Sequence, residues 1–408
     1  MDYEALLEGC AEMGCRLLNC GAEIHRVEDT VRRLLGAYGI QGEVFAIPNC
    51  LIISITDRDG HTLTRMRRAE VHGTDIQALE AYNALSRQLC ADPPQDTGEI
   101  LSRMSQITAR LSPYPIRIQL MGYFLGAFFF SMFFSGGWLE ALVGGVVGLL
   151  AGGCALLLGR TRSNFFINTM VAGFVLAFAA YGLFVLGVPI NIESVIVGAI
   201  MVLVPGLVFT NFMSDLLTGD IVAGLSTFAR AVLTAGAIAL GTGAAIALFQ
   251  RFGEIPVGVT PPVVYSAPLA CLLAFMACLG FCLPFNIRGM GMLLCCLGGA
   301  LGWAAYLAVQ HGGGSVYISS FVASITVAIY AETMARIRKC PATSYLVVSY
   351  FPLVPGYTIY QAMDYSIRGN TDLFLETFTR TFGIAGCIAL GTLLVSTALR
   401  IIQAKRRR

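Results

Sequence analysis

The polar and apolar positions change character near residue 115. Before it, apolar residues recur at helical and strand periods among charged ones; after it, apolar runs of about twenty residues follow one another. In the first part, Leu6, Leu7, Cys10, Met13, Leu17 and Leu18 share one face and predict a helix over 2–20, closed by Gly21. Val27, Val31, Leu34 and Leu35 predict a second over 23–38, closed by Gly39. Residues 43–56 are rich in Val, Ile and Phe and predict a strand. Asp57-Arg58-Asp59-Gly60 then predicts a turn and 62–66 the returning strand of a β-hairpin. Ile76, Leu79, Tyr82, Leu85 and Leu89 form the stripe of a third helix over 74–89. Pro93-Pro94 marks a linker, and a short helix over 99–111 leads to Ser112-Pro113. The sum is a small α+β domain over 1–112, expected in the cytoplasm.

Ten later segments are apolar and long enough to span a hydrocarbon core about 30 Å thick: 116–135, 139–158, 165–187, 192–211, 224–249, 262–283, 289–309, 315–335, 343–363 and 380–402. The fold class is therefore a mostly α-helical polytopic membrane protein of about ten transmembrane helices. Leu203-Val204-Pro205-Gly206 recurs as Leu353-Val354-Pro355-Gly356, and the match runs on without a gap through Met213/Met363, Gly219/Gly369, Thr227/Thr377, Phe228/Phe378 and Arg230/Arg380. Five spans fall to each copy. An odd number reverses the second copy, which predicts two inverted five-helix repeats, over 113–255 and 256–408. With the N-terminus inside, the inner loops hold Arg160, Arg162, Arg288, Arg336, Arg338, Lys339 and the tail Lys405 to Arg408. The outer loops hold Arg251 and Arg368, with Arg380 at a span edge. This bias predicts both termini in the cytoplasm.

Composition agrees. The chain is 56% hydrophobic and 13% charged, against about 25% charged in soluble proteins. Residues 1–115 hold 11 Arg and 16 acids, while the remainder holds 16 Lys or Arg and 9 acids. An acidic soluble part thus precedes a basic membrane part. The segment 2–19 carries Glu4, Glu8, Glu12 and Arg16 and does not read as a signal peptide. The thirteen cysteines are scattered without zinc-like pairs of pairs, so no metal or cofactor is expected. No nucleic-acid partner is expected, and the absence of a Gly-Lys-Ser/Thr loop argues against ATP as the driver.

The repeated Pro-Gly is the leading chemical feature. Proline lacks an amide donor and glycine lets the backbone leave helical geometry. Inside a span, the pair frees amides that suit a carboxylate and carbonyls that suit an ammonium group. Candidate substrate-binding residues are Pro205, Gly206, Asn211, Pro355, Gly356, Thr358 and Gln361, with Asn211 and Gln361 in equivalent repeat positions. Asn168, Ser319, Ser320, Ser324 and Thr326 would extend a polar path, although such side chains more often bond their own helix. Charges bordering lipid are costly, so Asp215, Asp220, Glu332 and Asp364 are candidates for ion or proton coupling; Glu193 also lies at a span end. No catalytic residue is assigned.

The run Gly21-Ala22-Glu23-Ile24-His25-Arg26-Val27-Glu28 opens the second helix. That run, followed by a strand pair and five spans, resembles the threonine/serine exporter family, and the second five spans resemble the family's C-terminal membrane part. The resemblance covers nearly the whole chain. It implies a multi-pass exporter of the inner (plasma) membrane that moves threonine or serine on the proton-motive force. Protons, a small-molecule substrate and membrane lipid are its partners, and a homo-oligomer is compatible with it. The family motif falls on Gly21, Ala22, Glu23, Arg26 and Glu28. Split members are associated with dicarboxylates such as succinate, so a dicarboxylate exporter stands as an alternative. A membrane-bound hydrolase using His25, Glu28 or Asp29 is another, as is a sensor anchored by its spans.

Overall fold

The computed structural model describes residues 2–69, 73–134, 136–161, 164–203, 212–213, 215–217, 219–251 and 263–406. Pro205, Gly206 and Asn211 lie outside the described residues. The chain divides into two compact units: Met1–Tyr114 with Phe285–Arg288 and Ala335–Ser344, and Pro115–Pro284 with Gly289–Met334 and Tyr345–Arg408.

The first unit is built from α1 (Tyr3–Asn19), α2 (Ile24–Ala37), β1 (Gly42–Ile47), β2 (Cys50–Thr56), β3 (Thr62–Arg68), α3 (Ile76–Ala91) and α4 (Glu99–Arg110). Asp2 and Asp75 cap α1 and α3 by accepting from the amides of Ala5 and Ala78, which satisfies donors a helix start leaves open. Gly21 ends the first helix at φ +85°, a conformation suited to glycine. The predicted single strand over 43–56 is two strands. Pro48 and Asn49 form a turn between them, because proline removes a ladder donor and asparagine favours turns. The sheet is antiparallel in the order β1-β2-β3. Leu51, Ile53 and Ile55 alternate inward along β2 and are fully buried. They join Leu6, Cys10 and Met13 of α1 and Val27, Val31 and Leu34 of α2, all fully buried, in one core. On the charged side Glu8 is paired with Arg65 and Arg67 of β3.

The second unit is helical: α5 (Ile116–Phe133), α6 (Trp138–Gly159), α7 (Phe165–Val185), α8 (Ile192–Ile200), α9 (Ile221–Gln250), α10 (Ala267–Cys282), α11 (Met290–His311), α12 (Val316–Arg338), α13 (Thr343–Ser349), α14 (Gly356–Ile367) and α15 (Thr371–Arg406). α12 and α13 begin or end in the first unit. Seven of these helices (α5, α6, α7, α9, α11, α12 and α15) are long and apolar enough to cross a membrane, while α10 is shorter. The predicted spans 192–211 and 343–363 are not single helices. α8 stops at Ile200, and α13 stops at Ser349, six residues before Pro355.

The helix pattern repeats. Starts pair as Ile116 with Ala267, Trp138 with Met290, Phe165 with Val316, Ile192 with Thr343 and Ile221 with Thr371, all 150 to 152 positions apart. Packing repeats as well. A Cβ on Gly241 of α9 would strike the Met170 carbonyl of α7. Likewise, one on Gly391 of α15 would come within 3.0 Å of the Phe321 carbonyl of α12. Lipid gives helices no hydrophobic reason to associate, so small residues that permit close backbone approach take over that role. The halves also share cores. Tyr360 packs with Ile196, Ile200 and Ile238, and Ile359 with Phe212 and Ala235.

Two predictions follow from this packing. Gly241→Val should destabilise the protein by about 1–3 kcal/mol through overpacking, whereas Gly236→Ala, on the same helix with nothing within 4 Å of the added Cβ, should be neutral or stabilising. Thermal unfolding of the purified protein in detergent checks the contrast. Burial pushes the Cys10 and Cys20 thiols up to about 12, so at pH 8 both remain neutral thiols, and the thiolate is the reactive form. Peptide-resolved alkylation should find both at least roughly tenfold slower in the folded chain than after denaturation.

Candidate functional site

The site is built on the second Pro-Gly. After α13, Tyr350 to Pro355 make a run of tight turns. The amides of Tyr350, Phe351, Leu353, Val354 and Gly356 donate to carbonyls two to four residues back, at 2.8–3.1 Å. Tyr350, Phe351, Leu353 and Val354 are all buried. Non-helical backbone at membrane depth is tolerated only when it is enclosed by protein or lines a cavity. Neighbouring helices anchor the run. The Tyr350 hydroxyl lies 2.6 Å from Thr392 Oγ1, and Ser349 Oγ donates to the Cys295 carbonyl at 2.9 Å.

α14 restarts at Gly356 with Pro355 as its cap. A helix leaves its first four amides without intrahelical partners. Two of these are satisfied: Gly356 donates to the Val354 carbonyl and Ile359 to that of Pro355. The amides of Tyr357 and Thr358 remain, with no backbone acceptor among the described residues. Around them is a polar cluster drawn from both halves. The Tyr357 hydroxyl donates to Glu193 Oε1 at 3.2 Å, and Gln361 Nε2 donates to the same hydroxyl at 2.7 Å. Tyr360 Oη lies 3.2 Å from Thr242 Oγ1 of α9. Thr381 Oγ1 of α15 donates to Thr358 Oγ1 at 2.7 Å. Glu193 opens α8, whose cap Asn191 accepts from Ser194 and whose start is fixed by the buried Glu140, which accepts the Asn191 amide at 3.0 Å. The arrangement offers one carboxylate, two first-turn amides and several hydroxyl and amide groups.

The other candidates fall elsewhere. Asp364 is one turn beyond Tyr360, and its carboxylate is held by Arg368 at 2.8 Å. Asp220 occupies the cap position of α9 without a side-chain cap bond. Asp215 lies in the short helical stretch just before it, and its carbonyl accepts the Asp220 amide. Glu332 stands half-buried on α12. Ser319, Ser320 and Thr326 donate to carbonyls four residues back on α12, and Ser324 to the Phe321 carbonyl. Asn168 donates to the Leu158 carbonyl at the end of α6. Tyr357, which touches both halves of the cluster, was missed from sequence. A tyrosine in an apolar run reads as core, and its position directly after the Pro-Gly was the available signal.

In the first unit the motif residues are engaged in structure. Glu28 accepts from the Ala46 amide at 2.9 Å and from Arg32 at 2.8 Å, which fixes α2 to β1. Arg26 Nε donates to Glu23 Oε2 at 2.7 Å, and His25 Nε2 lies 3.7 Å from the same oxygen. Asp29 pairs with Arg33 at 2.8 Å on the surface. The buried thiols of this unit are poor nucleophiles for the reason given above. In the hairpin turn, the backbone bond from His61, then that from Asp59, holds Asp57 below the usual carboxylate range. Asp57, Asp59 and His61 cluster there as three exposed or half-exposed groups. A shallow groove of about 380 Å³, lined by Arg32, Glu43, Phe45, Ile52 and Ser54, lies on the outer face of the sheet. It gathers no set of reacting groups.

Known proteins complete the picture. The threonine/serine exporter family model ThrE matches residues 8–249, and a second model, "Threonine/Serine exporter, ThrE", matches 270–398. The "Threonine/serine exporter" of Corynebacterium glutamicum is 23% identical over 94% of this chain and 80% of its own length. The "Probable threonine/serine exporter" of Mycobacterium tuberculosis is 21% identical over 93% and 74%. The "Probable succinate transporter subunit YjjP" of Klebsiella aerogenes is 26% identical over 62% of this chain and 97% of its own. No solved structure matches. With a family model covering more than half of it and a helical membrane architecture to match, this chain belongs to the threonine/serine exporter family of membrane transporters.

Proposed function

We propose that the protein exports threonine and serine along a path that passes the head of α14. The observation that carries this reading is the pairing of Glu193 with Tyr357 beside the two first-turn amides of Tyr357 and Thr358. An amino-acid zwitterion matches both ends of that arrangement. Its carboxylate suits amides at the positive end of a helix, and its ammonium group suits Glu193. The substrate hydroxyl has Tyr357 and Gln361 as partners. A dicarboxylate is favoured by the similarity to a protein named as a succinate transporter subunit, but it would bring a second negative charge toward Glu193, and like charges repel.

The two five-helix copies are read as inverted. Loops 285–288 and 335–344, which carry Arg288, Arg336, Arg338 and Lys339, belong to the first unit, whereas their equivalents about 151 residues earlier belong to the second. Inverted copies would divide equivalent loops in this way, and the basic residues support a cytoplasmic reading of these loops. Transport is then a rocking of one half against the other about the broken spans, driven by the proton-motive force. Glu193 is the preferred coupling carboxylate, because Asp364 is already neutralised by Arg368.

Liposomes loaded with labelled serine, threonine or succinate, with and without an imposed pH gradient, test this. Gradient-dependent release of serine and threonine ahead of succinate is expected. Glu193→Gln should lower threonine release at least about tenfold, the scale of losing a charged hydrogen bond worth ~1.5–3 kcal/mol, and should narrow the preference over succinate. Replacing Pro355-Gly356 by Ala-Ala should lower release while leaving membrane insertion intact. Normal efflux from both variants would remove the site from α14.

A further inference from the structure

Two short segments of the second five-helix half belong to the compact N-terminal unit. They are Phe285–Arg288, between α10 and α11, and Ala335–Ser344, which spans the end of α12 and the start of α13. Each contains a backbone conformation that non-glycine residues seldom adopt. Among the described residues, the non-glycine residues with positive φ are Asn286, at 55°, and Lys339, at 56°. Both are held by hydrogen bonds from the N-terminal unit. Asn286 is buried, and its side-chain amide donates to Asp75 at 3.1 and 3.3 Å and to Gln77 Oε1 at 3.0 Å. Next to it the Ile76 amide donates to the Phe285 carbonyl at 3.1 Å. The Lys339 carbonyl accepts from Arg87 Nη1 at 3.0 Å. Arg288 lies over the Tyr114 ring at 4.5 Å and donates to the Ser112 carbonyl.

The third contact involves the family motif. Glu23 Oε1 lies 3.5 Å from Thr343 Oγ1, at the first residue of α13, while Arg26 holds the other carboxylate oxygen. Thr343 and Ser344 are buried. The broken span therefore begins under a residue of the motif, and the break at Tyr350–Pro355 lies about two helical turns further on.

We propose that the face formed by Glu23, Asp75, Gln77 and Arg87 is a clamp for the two loops of the second half. It fixes the start of the broken helix α13, and Glu23 is a positioning residue for transport. Sparsely populated backbone states persist only where surrounding structure over-determines them. Here Asp75, Gln77 and Arg87, at the start and along the length of α3, supply those groups from far away in sequence, and Lys339 also closes α12, where the Cys340 amide donates to the Ala335 carbonyl. The clamp gives the rocking half a fixed pivot at one end of its broken span, whichever substrate is carried.

The test uses the full chain in lipid nanodiscs and trypsin, which cleaves after Arg288 and Lys339. Asn286→Gly combined with Gln77→Ala removes the amide contacts while leaving a residue at ease with positive φ; Arg87→Ala and Glu23→Ala address the second loop, and Arg33→Ala is the control. Expected is cleavage at the released loop at least about tenfold faster, as local opening becomes more populated, with the control unchanged. In the export assay, kcat should fall at least threefold with KM within twofold, and Glu23→Gln, which keeps an acceptor oxygen, should recover most of the Glu23→Ala loss. Unchanged cleavage would overturn the clamp. Faster cleavage with unchanged kcat, or an effect on KM alone, would overturn its role in transport. Cleavage does not depend on the substrate, so a failed clamp and a failed assignment of threonine and serine are told apart.

Discussion

Lipid offers no hydrogen-bond partner to a peptide group, and in this helical membrane protein the apolar stretch 343–367 is not a continuous helix. Most of the second unit can be understood as the way that break is enclosed. Tyr350 to Gly356 turn tightly enough to satisfy their own amides. Thr392 and the Ser324 carbonyl meet the Tyr350 hydroxyl, and Cys295 meets Ser349. Gly391 of α15 lets that helix approach the backbone of α12 beside Ser324. Each unsatisfied group avoided here is worth several kcal/mol in hydrocarbon, which makes the surrounding polar contacts compulsory rather than decorative.

Once enclosed, the break becomes a chemical asset. A helix that starts inside protein presents amides where a soluble helix would present them to water. The nearby carboxylate comes from the other half of the chain, so any ligand held there touches both halves together. That is the condition for converting binding into relative motion, because a ligand shifts an equilibrium only through different contacts in its two states. The shared packing of Tyr360 with Ile196, Ile200 and Ile238, and of Ile359 with Phe212, extends the same coupling through apolar side chains.

The sequence exposed what depends on local period. The one-sided faces of α1 and α2 and the long apolar runs are patterns that burial imposes directly, and Pro352 and Pro355 mark the broken stretch because neither has an amide to donate. It lost detail where a local rule was overridden or overlooked: Pro48-Asn49 splits what reads as one Val- and Ile-rich strand. Charge counting brought out Asp364, which is paired with Arg368, and not Tyr357, whose hydroxyl bonds a carboxylate on another helix. The contact of Asn286 with Asp75 joins residues 211 positions apart. No periodicity reports such a pairing, and only the folded chain shows that Asn286 and Lys339 both bond residues at or on α3.

If substrate passes the head of α14, as proposed, labelling at that position should report it. Gln361→Cys, placed beside Tyr357 in a background without other cysteines that retains export, would be alkylated in reconstituted vesicles with and without saturating threonine and followed by mass spectrometry. Threonine should slow labelling of Cys at this position several-fold and succinate much less. Labelling that no transported substrate alters would move the path away from the broken span.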